Sequence, residues 1–234
     1  MQAIHVAAAN IQAGWGECFL VGGMESMSRV KRRGFNWSPH AGLEESYPEA
    51  YINMGLTAEN VADKYQIDRV RQEQFALSSH LKATLAQSSG HFGEEICPID
   101  DGETQIDQDG CIRASTTLES MAGLKPVFRD DGSVTAATSS PLTDGAAATL
   151  ICEENYAKKN NLTILGRIVS TAVEGCDPDY MGLGPIGASK KALERAKLSA
   201  DQIDIVELNE AFASQSLACI KDLGIDKDKV NLDG

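Results

Sequence analysis

The sequence predicts an α/β fold, on three observations. In IDIVELNEAFASQSLACIKDLG, residues 203–224, the hydrophobic period changes midway. Ile203, Ile205, Val206 and Leu208 form a short β-branched run, the pattern of a buried strand. From Ala211 the apolar residues Ala213, Leu217, Ile220 and Leu223 share one helix face, and Gly224 stops it. Second, Cys18–Val21 reads as a strand closed by Gly22-Gly23, and Ala146–Cys152 as another, followed by the helical run EENYAKK. Third, Arg167–Val173 reads as a strand ahead of the helix ASKKALERAK.

Between these strands the chain changes character. Ile4, Ala7, Ala8 and Ile11 first make an amphipathic helix, and Gly14-Trp15-Gly16 turns it towards Cys18. Residues 30–52 have no period and read as loop. Thr57 opens a helix, TAENVADKY, with Glu59 suiting its positive end. Asp68 caps a longer one in which Leu77, Leu81 and Leu85 stand four apart and the other face is polar. Irregular chain and helices set between two strands of a sheet commonly form a lid or binding region. Later, Ser199–Gln202 forms a capping box before Ile203.

A formal charge of −13 argues against a nucleic-acid or anionic-membrane surface, because neutralising phosphates takes Lys and Arg. The basic cluster RVKRR, residues 29–33, is too short to reverse that, and reads as solvated loop or as a neighbour of an anionic ligand. No apolar run approaches the ~20 residues of a bilayer span. The six cysteines show no CxxC pair and the four histidines no ligand spacing, so no metal or resident cofactor is expected. Cys18, Cys152 and Cys219 sit in apolar runs and read as buried small hydrophobes, reduced in a cytoplasmic setting.

Gly182-Leu183-Gly184-Pro185-Ile186-Gly187 spells GxGxxG, with Asp204 and Glu207 about 20 residues on, as a dinucleotide site requires. Against that reading, Asp177 and Asp179 put negative charge where phosphate would sit, and Pro185 removes a backbone donor.

Asn209 and Glu210 lie where the last strand hands over to its helix, a usual place for chemistry in α/β proteins. Asn209 either caps the helix or aims its amide at a water or substrate. NEAF at 209–212 followed by a small-residue helix resembles a motif of the thiolases. VGGMESMSR (21–29), NMGLTAENVA (53–62), MGLGPIGA (181–188) and the long run from Cys111 to Glu154 resemble further segments of that family.

The resemblance implies an αβαβα layered sandwich, present in part, with an inserted loop domain. Residues 1–26 and 143–166 would belong to the N-terminal domain, 27–142 to the loop domain, and 167–234 to the start of the C-terminal domain. It implies thiolytic cleavage of a 3-ketoacyl-CoA to acetyl-CoA and a shortened acyl-CoA, as in fatty-acid β-oxidation, with coenzyme A as substrate. Asn209 would hold a water of an oxyanion hole, with Ala211 and Phe212 beside the reacting thioester. Arg113 and Ser120 fall at the nucleotide end of coenzyme A, Phe128 at an aromatic wall, and Ala136, Ser139, Ser140 and Leu142 along the pantetheine tunnel. Met54 belongs to the same site. Some thiolases carry His where this chain has Asn53, which leaves an acetoacetyl-CoA thiolase as an alternative; a non-catalytic acyl-CoA-binding protein is another.

In the family the nucleophilic cysteine precedes the segment matching Met1, and a GHP histidine and CxG cysteine follow the one matching Gly234. The chain alone is therefore expected to be an inactive fragment of a homodimer or homotetramer. A bacterial-type cytoplasmic location is expected, with mitochondria or peroxisomes as alternatives.

Overall fold

The computed structural model describes residues 1–30 and 32–234. Lys31 of the basic cluster lies outside the described residues. In chain order the elements are α1 (Gln2–Gln12), β1 (Cys18–Ser26), α2 (Ala41–Ser46), α3 (Met54–Tyr65), α4 (Arg69–Ser88), β2 (Ile99–Asp100) and β3 (Gln105–Ile106). After these come α5 (Leu118–Ala122), β4 (Asp144–Cys152), α6 (Glu154–Lys159), α7 (Gly184–Ala196) and α8 (Ala213–Leu223). The chain divides into two units, Met1–Ser38 with Leu142–Ala172, and Pro39–Pro141 with Val173–Gly234.

The first unit is built on an antiparallel pair far apart in sequence, β1 and β4, running from Cys18↔Cys152 to Ser26↔Asp144. Helix α1 packs on both strands, burying Ala7. Gly22 permits close pairing, since a Cβ there would lie 3.3 Å from the Ala147 carbonyl oxygen. At the far end Asp144 accepts from the Ser28 N–H at 2.8 Å and the Ser28 hydroxyl at 2.5 Å. Glu153 caps α6 by accepting from the Tyr156 N–H.

In the second unit α3, α8 and the 3-10 turn Pro178–Leu183 pack around a small core of Val61, Ile67 and Ala218, flanked by Tyr65, Tyr180, Leu183 and Leu217, while α4 and α7 pack against α8. Ala213, Ser214, Ser216, Ala218 and Cys219 make much of α8 narrow. That narrowness lets the Ser214 hydroxyl reach the Ala58 carbonyl on α3 at 2.9 Å. Asp68 caps α4 through the Arg71 N–H, as its sequence predicts. From the first turn of α4, Arg69 pairs with Glu73 and donates to the carbonyls of Met121, Ala122 and Leu124, fastening the end of α5. Gly224 ends α8 at φ +64°, the left-handed stop that glycine permits.

Several sequence expectations need correcting. Helix α3 starts at Met54 rather than Thr57, because Asn53 caps it, accepting from the Gly55 N–H at 2.8 Å. Residues 30–52 contain α2 and a 3-10 turn at Pro48–Tyr51. Arg167–Val173 forms no strand, and Ile203–Leu208 makes a single parallel bridge, Val206 to Val230, leaving Ile205 exposed. Leu81 and Leu85 are exposed; α4 buries Gln72, Glu73, Ala76 and Ala86 instead. Of the three cysteines read as buried only Cys219 is; Cys18 and Cys152 are half-buried. The GxGxxG glycines serve packing. A Cβ at Gly182 would meet Gln215 at 2.8 Å, and one at Gly187 would meet Glu174 at 2.8 Å.

Candidate functional site

The turn between Leu208 and α8 is held from outside its own sequence. Val206 donates to the Lys229 carbonyl at 2.9 Å, and the Asn231 N–H donates to the Val206 carbonyl at 2.9 Å. The Asn231 side chain, 4% exposed, then accepts from the Leu208 N–H at 2.7 Å. Its amide donates to the Leu208 carbonyl at 2.8 Å and to Glu210 Oε1 at 2.6 Å. One side chain thus satisfies both backbone groups beside Asn209 and fixes the carboxylate after it. Asn231 does so at φ +46°, a conformation that Asn tolerates better than most residues. Lys82 and Lys229 brace the same strip by donating to the carbonyls of Val230 and Ile203.

Asn209 itself is exposed and does not cap α8, whose N-cap is Phe212, without a side-chain bond. The Asn209 amide stands at a fixed turn, free of any helix-capping duty.

Two residues further on, the turn meets the Ser139–Ser140 segment. Ser139 bridges Phe212, and the Ser140 N–H donates to the Ala211 carbonyl at 3.0 Å. Phe128 and Phe212 meet edge to face, with centroids 5.9 Å apart and planes at 83°. Gly55, beside Met54 on α3, closes the wall: a Cβ there would fall 2.1 Å from the Phe128 ring. Behind the wall Glu59, 1% exposed, accepts from the Ser133 and Val134 N–H groups at 2.9 and 3.0 Å. Here a buried carboxylate shapes the loop that carries Phe128 and Ser139. The Thr135–Thr138 capping box sets the following turn, and the Ser139 hydroxyl is spent on the Thr135 carbonyl.

Of the eleven residues singled out from the sequence, five come together in this way: Phe128, Ser139, Ser140, Ala211 and Phe212. Asn209 stands at the fixed turn beside them, and Met54 precedes the glycine against the ring. Ala136 is exposed at the head of the Ala136–Thr138 turn. Arg113 is exposed, its N–H donating to His80 Nδ1 at 3.3 Å. Ser120 completes a capping box with Thr117. Among the described residues no hydrogen bond or ring contact joins Arg113 or Ser120 to the aromatic pair. Leu142 is exposed and belongs to the first unit.

Burial and Arg113 lower the pKa of His80, with Glu210 opposing them. The pKa of Glu207 is raised by burial and then by Asp233 and Glu210, so the strip before Asn209 carries crowded negative charge. Among the described residues no cluster of His, Cys, Asp and Glu is arranged to hold a metal ion. No described helix is long and apolar enough to cross a membrane.

Sequence reasoning did not find Asn231, Gly55 or the loop-holding role of Glu59. Asn231 lay in a stretch without period; its only signal was an Asn available for a left-handed turn. Gly55 and Glu59 lay within the MGLTAEN segment, but what each touches is 70 or more residues away in sequence.

The model of the thiolase N-terminal domain matches residues 1–155 and that of the thiolase C-terminal domain residues 162–234, so the chain belongs to the thiolase family. More particularly, it is 46% identical, over its whole length, to the 3-ketoacyl-CoA thiolases of Aliivibrio fischeri and Shewanella frigidimarina. It spans 62% of the length of each. The dimeric peroxisomal thiolase of Saccharomyces cerevisiae superposes with a TM-score of 0.94 at 37% identity, over all of this chain and 61% of that one. Human mitochondrial 3-ketoacyl-CoA thiolase in complex with CoA gives 0.89 at 39%, over all of this chain and 62% of that one.

Proposed function

We propose that this chain supplies the coenzyme A-facing and enolate-stabilising side of an acyltransferase that cleaves 3-ketoacyl-CoA by thiolysis. The juxtaposition of Ser139–Ser140 with Ala211–Phe212 carries the reading, because it sets a narrow aromatic-walled strip beside an exposed amide. In thiolysis acetyl-CoA leaves as an enolate, and negative charge builds on its thioester oxygen. A preorganised donor at that oxygen contributes ~3–4 kcal/mol to the transition state, about two to three decades in rate. Asn209 is that donor, directly or through a water, and Asn231 holds it in place. Small residues at 136–140, with the hydroxyl of the exposed Ser140, suit the amide-bearing pantetheine arm. Arg113 reaches for the phosphates at the nucleotide end.

Among the described residues no cysteine or histidine stands in the strip formed by Ser139–Ser140 and Ala211–Phe212. The attacking thiol and the acid–base groups of the reaction therefore belong to residues outside that strip. The relatives named as 3-ketoacyl-CoA thiolases favour a degradative role in fatty-acid β-oxidation, and the similar yeast enzyme, which is dimeric, favours an oligomer; a cytoplasmic location belongs to the same proposal.

The test is titration of the gene product carrying this chain with coenzyme A, followed by a thiolysis assay on acetoacetyl-CoA and a longer 3-ketoacyl-CoA. Saturable binding that weakens on Phe128→Ala, with thiolysis of the longer substrate, is the expected result. Binding indifferent to Phe128, or no thiolysis of either substrate, would overturn the proposal.

A further inference from the structure

The two half-buried cysteines of the first unit face each other across its sheet. Cys18 and Cys152 are direct partners at one end of the β1–β4 ladder. Directly opposite residues send their side chains to the same face. The hydrogen bonding of the ladder sets how closely they approach. The Glu153 N–H donates to the Glu17 carbonyl at 2.8 Å, so 17 and 153 are a hydrogen-bonded pair. By the alternation of antiparallel ladders, 18 and 152 are then a non-hydrogen-bonded pair, with Cα atoms about 4.5 Å apart. That spacing lies inside the ~4.4–6.8 Å range that a disulfide bridges.

A third group converges on the pair. Tyr156, in the first turn of α6, has its hydroxyl pKa raised chiefly by the Cys18 sulfur, with Cys152 contributing. Tyr156 also lines a cleft of about 210 Å³ with Glu17, Glu153, Asn155, Lys159 and Asn160, the residues that flank the pair in sequence and along α6. The other four cysteines all lie in the second unit.

We infer that Cys18 and Cys152 are a vicinal dithiol site at which hydrogen peroxide closes an intrachain disulfide between β1 and β4. The thiolate of one cysteine attacks a peroxide oxygen, the O–O bond breaks, and water leaves a sulfenic acid on sulfur. The second thiol attacks that sulfur and displaces its hydroxyl as water. Each sulfur gives up one electron, and the peroxide is reduced to two waters. The inference is independent of the thiolase reaction.

The experiment treats the native gene product with limiting hydrogen peroxide, alkylates the remaining thiols and maps the non-reduced digest by mass. The expected product is the Cys18 peptide joined to the Cys152 peptide, lighter by two hydrogens and separated again by dithiothreitol. Phenylarsine oxide, which bridges paired thiols, blocks that product when added first. In Cys18→Ser and Cys152→Ser, each checked for an unchanged circular dichroism spectrum, the link disappears and the surviving cysteine loses its arsenical protection. The inference is overturned if both cysteines are recovered singly alkylated or as sulfinic acids. A link formed only in denaturant overturns it too, as does arsenical protection that persists in both serine variants. Should a variant fail to fold, the wild-type map decides alone.

Discussion

Replacing Asn231 with Ala removes three hydrogen bonds at once from the turn that carries Asn209. Two are to the Leu208 backbone and each contributes about 1 kcal/mol; the third, to the Glu210 carboxylate, contributes about 2. Alanine at φ +46° adds a further cost of about 1 kcal/mol that Asn largely escapes. The expected loss is ~3–5 kcal/mol, a large share of the ~5–15 that holds a typical domain folded. Urea denaturation at neutral pH reads it as a midpoint lowered by roughly 2 M. Asn231→Asp separates positioning from stability: it keeps the acceptor for Leu208, loses both donor bonds and sets a second carboxylate against Glu210. We expect it to lower kcat of thiolysis at nearly unchanged KM. An Asn231→Ala protein within about 0.5 kcal/mol of wild type would refute the clamp, since surface substitutions commonly fall in that range.

Glu59→Gln leaves one oxygen where two accept backbone N–H groups, so we expect ~2 kcal/mol less stability in denaturation and weaker coenzyme A binding by calorimetry. Gly55→Ala drives a methyl into the Phe128 ring; displacement of the Phe128–Phe212 pair should cost ~1–3 kcal/mol and weaken coenzyme A binding about tenfold. His80 should give the stability a pH dependence. Burial holds its pKa below the ordinary 6.5, so the unfolded chain takes up the proton first as pH falls. Its contribution is whole above about 6.5 and is lost as pH drops from there through the lower folded value. Denaturation midpoints across that window should fall towards acid, and His80→Gln should flatten this part of the curve.

Local signals in the sequence located most helices, because caps and stops are written within a few residues. Asp68 heads α4, Ser199 opens its capping box and Gly224 ends α8, each as its type predicts. Strands were less legible, since a strand exists only with a partner. Cys18–Ser26 and Asp144–Cys152 find one another, whereas the equally β-branched Ile203–Leu208 has a single bridge to Val230. Apolar periodicity misled on α4, where Gln72 and Glu73 are buried because Ser133 and Arg69 supply their polar partners, while Leu81 and Leu85 face outward. In the site, the NEAF turn was legible as a break in period. Its support was not: Asn231 acts across 21 to 23 residues and Glu59 across more than 70, distances over which local pattern carries no information.

The most direct measurement is kcat for thiolysis of a 3-ketoacyl-CoA by wild type and by Asn209→Ala, in the gene product carrying this chain. An amide donor at the enolate oxygen predicts a fall of ~10²–10³ in kcat with KM changed by no more than a few-fold. A variant that turns over within about threefold of wild type would contradict it, because losing that donor lowers the rate by decades.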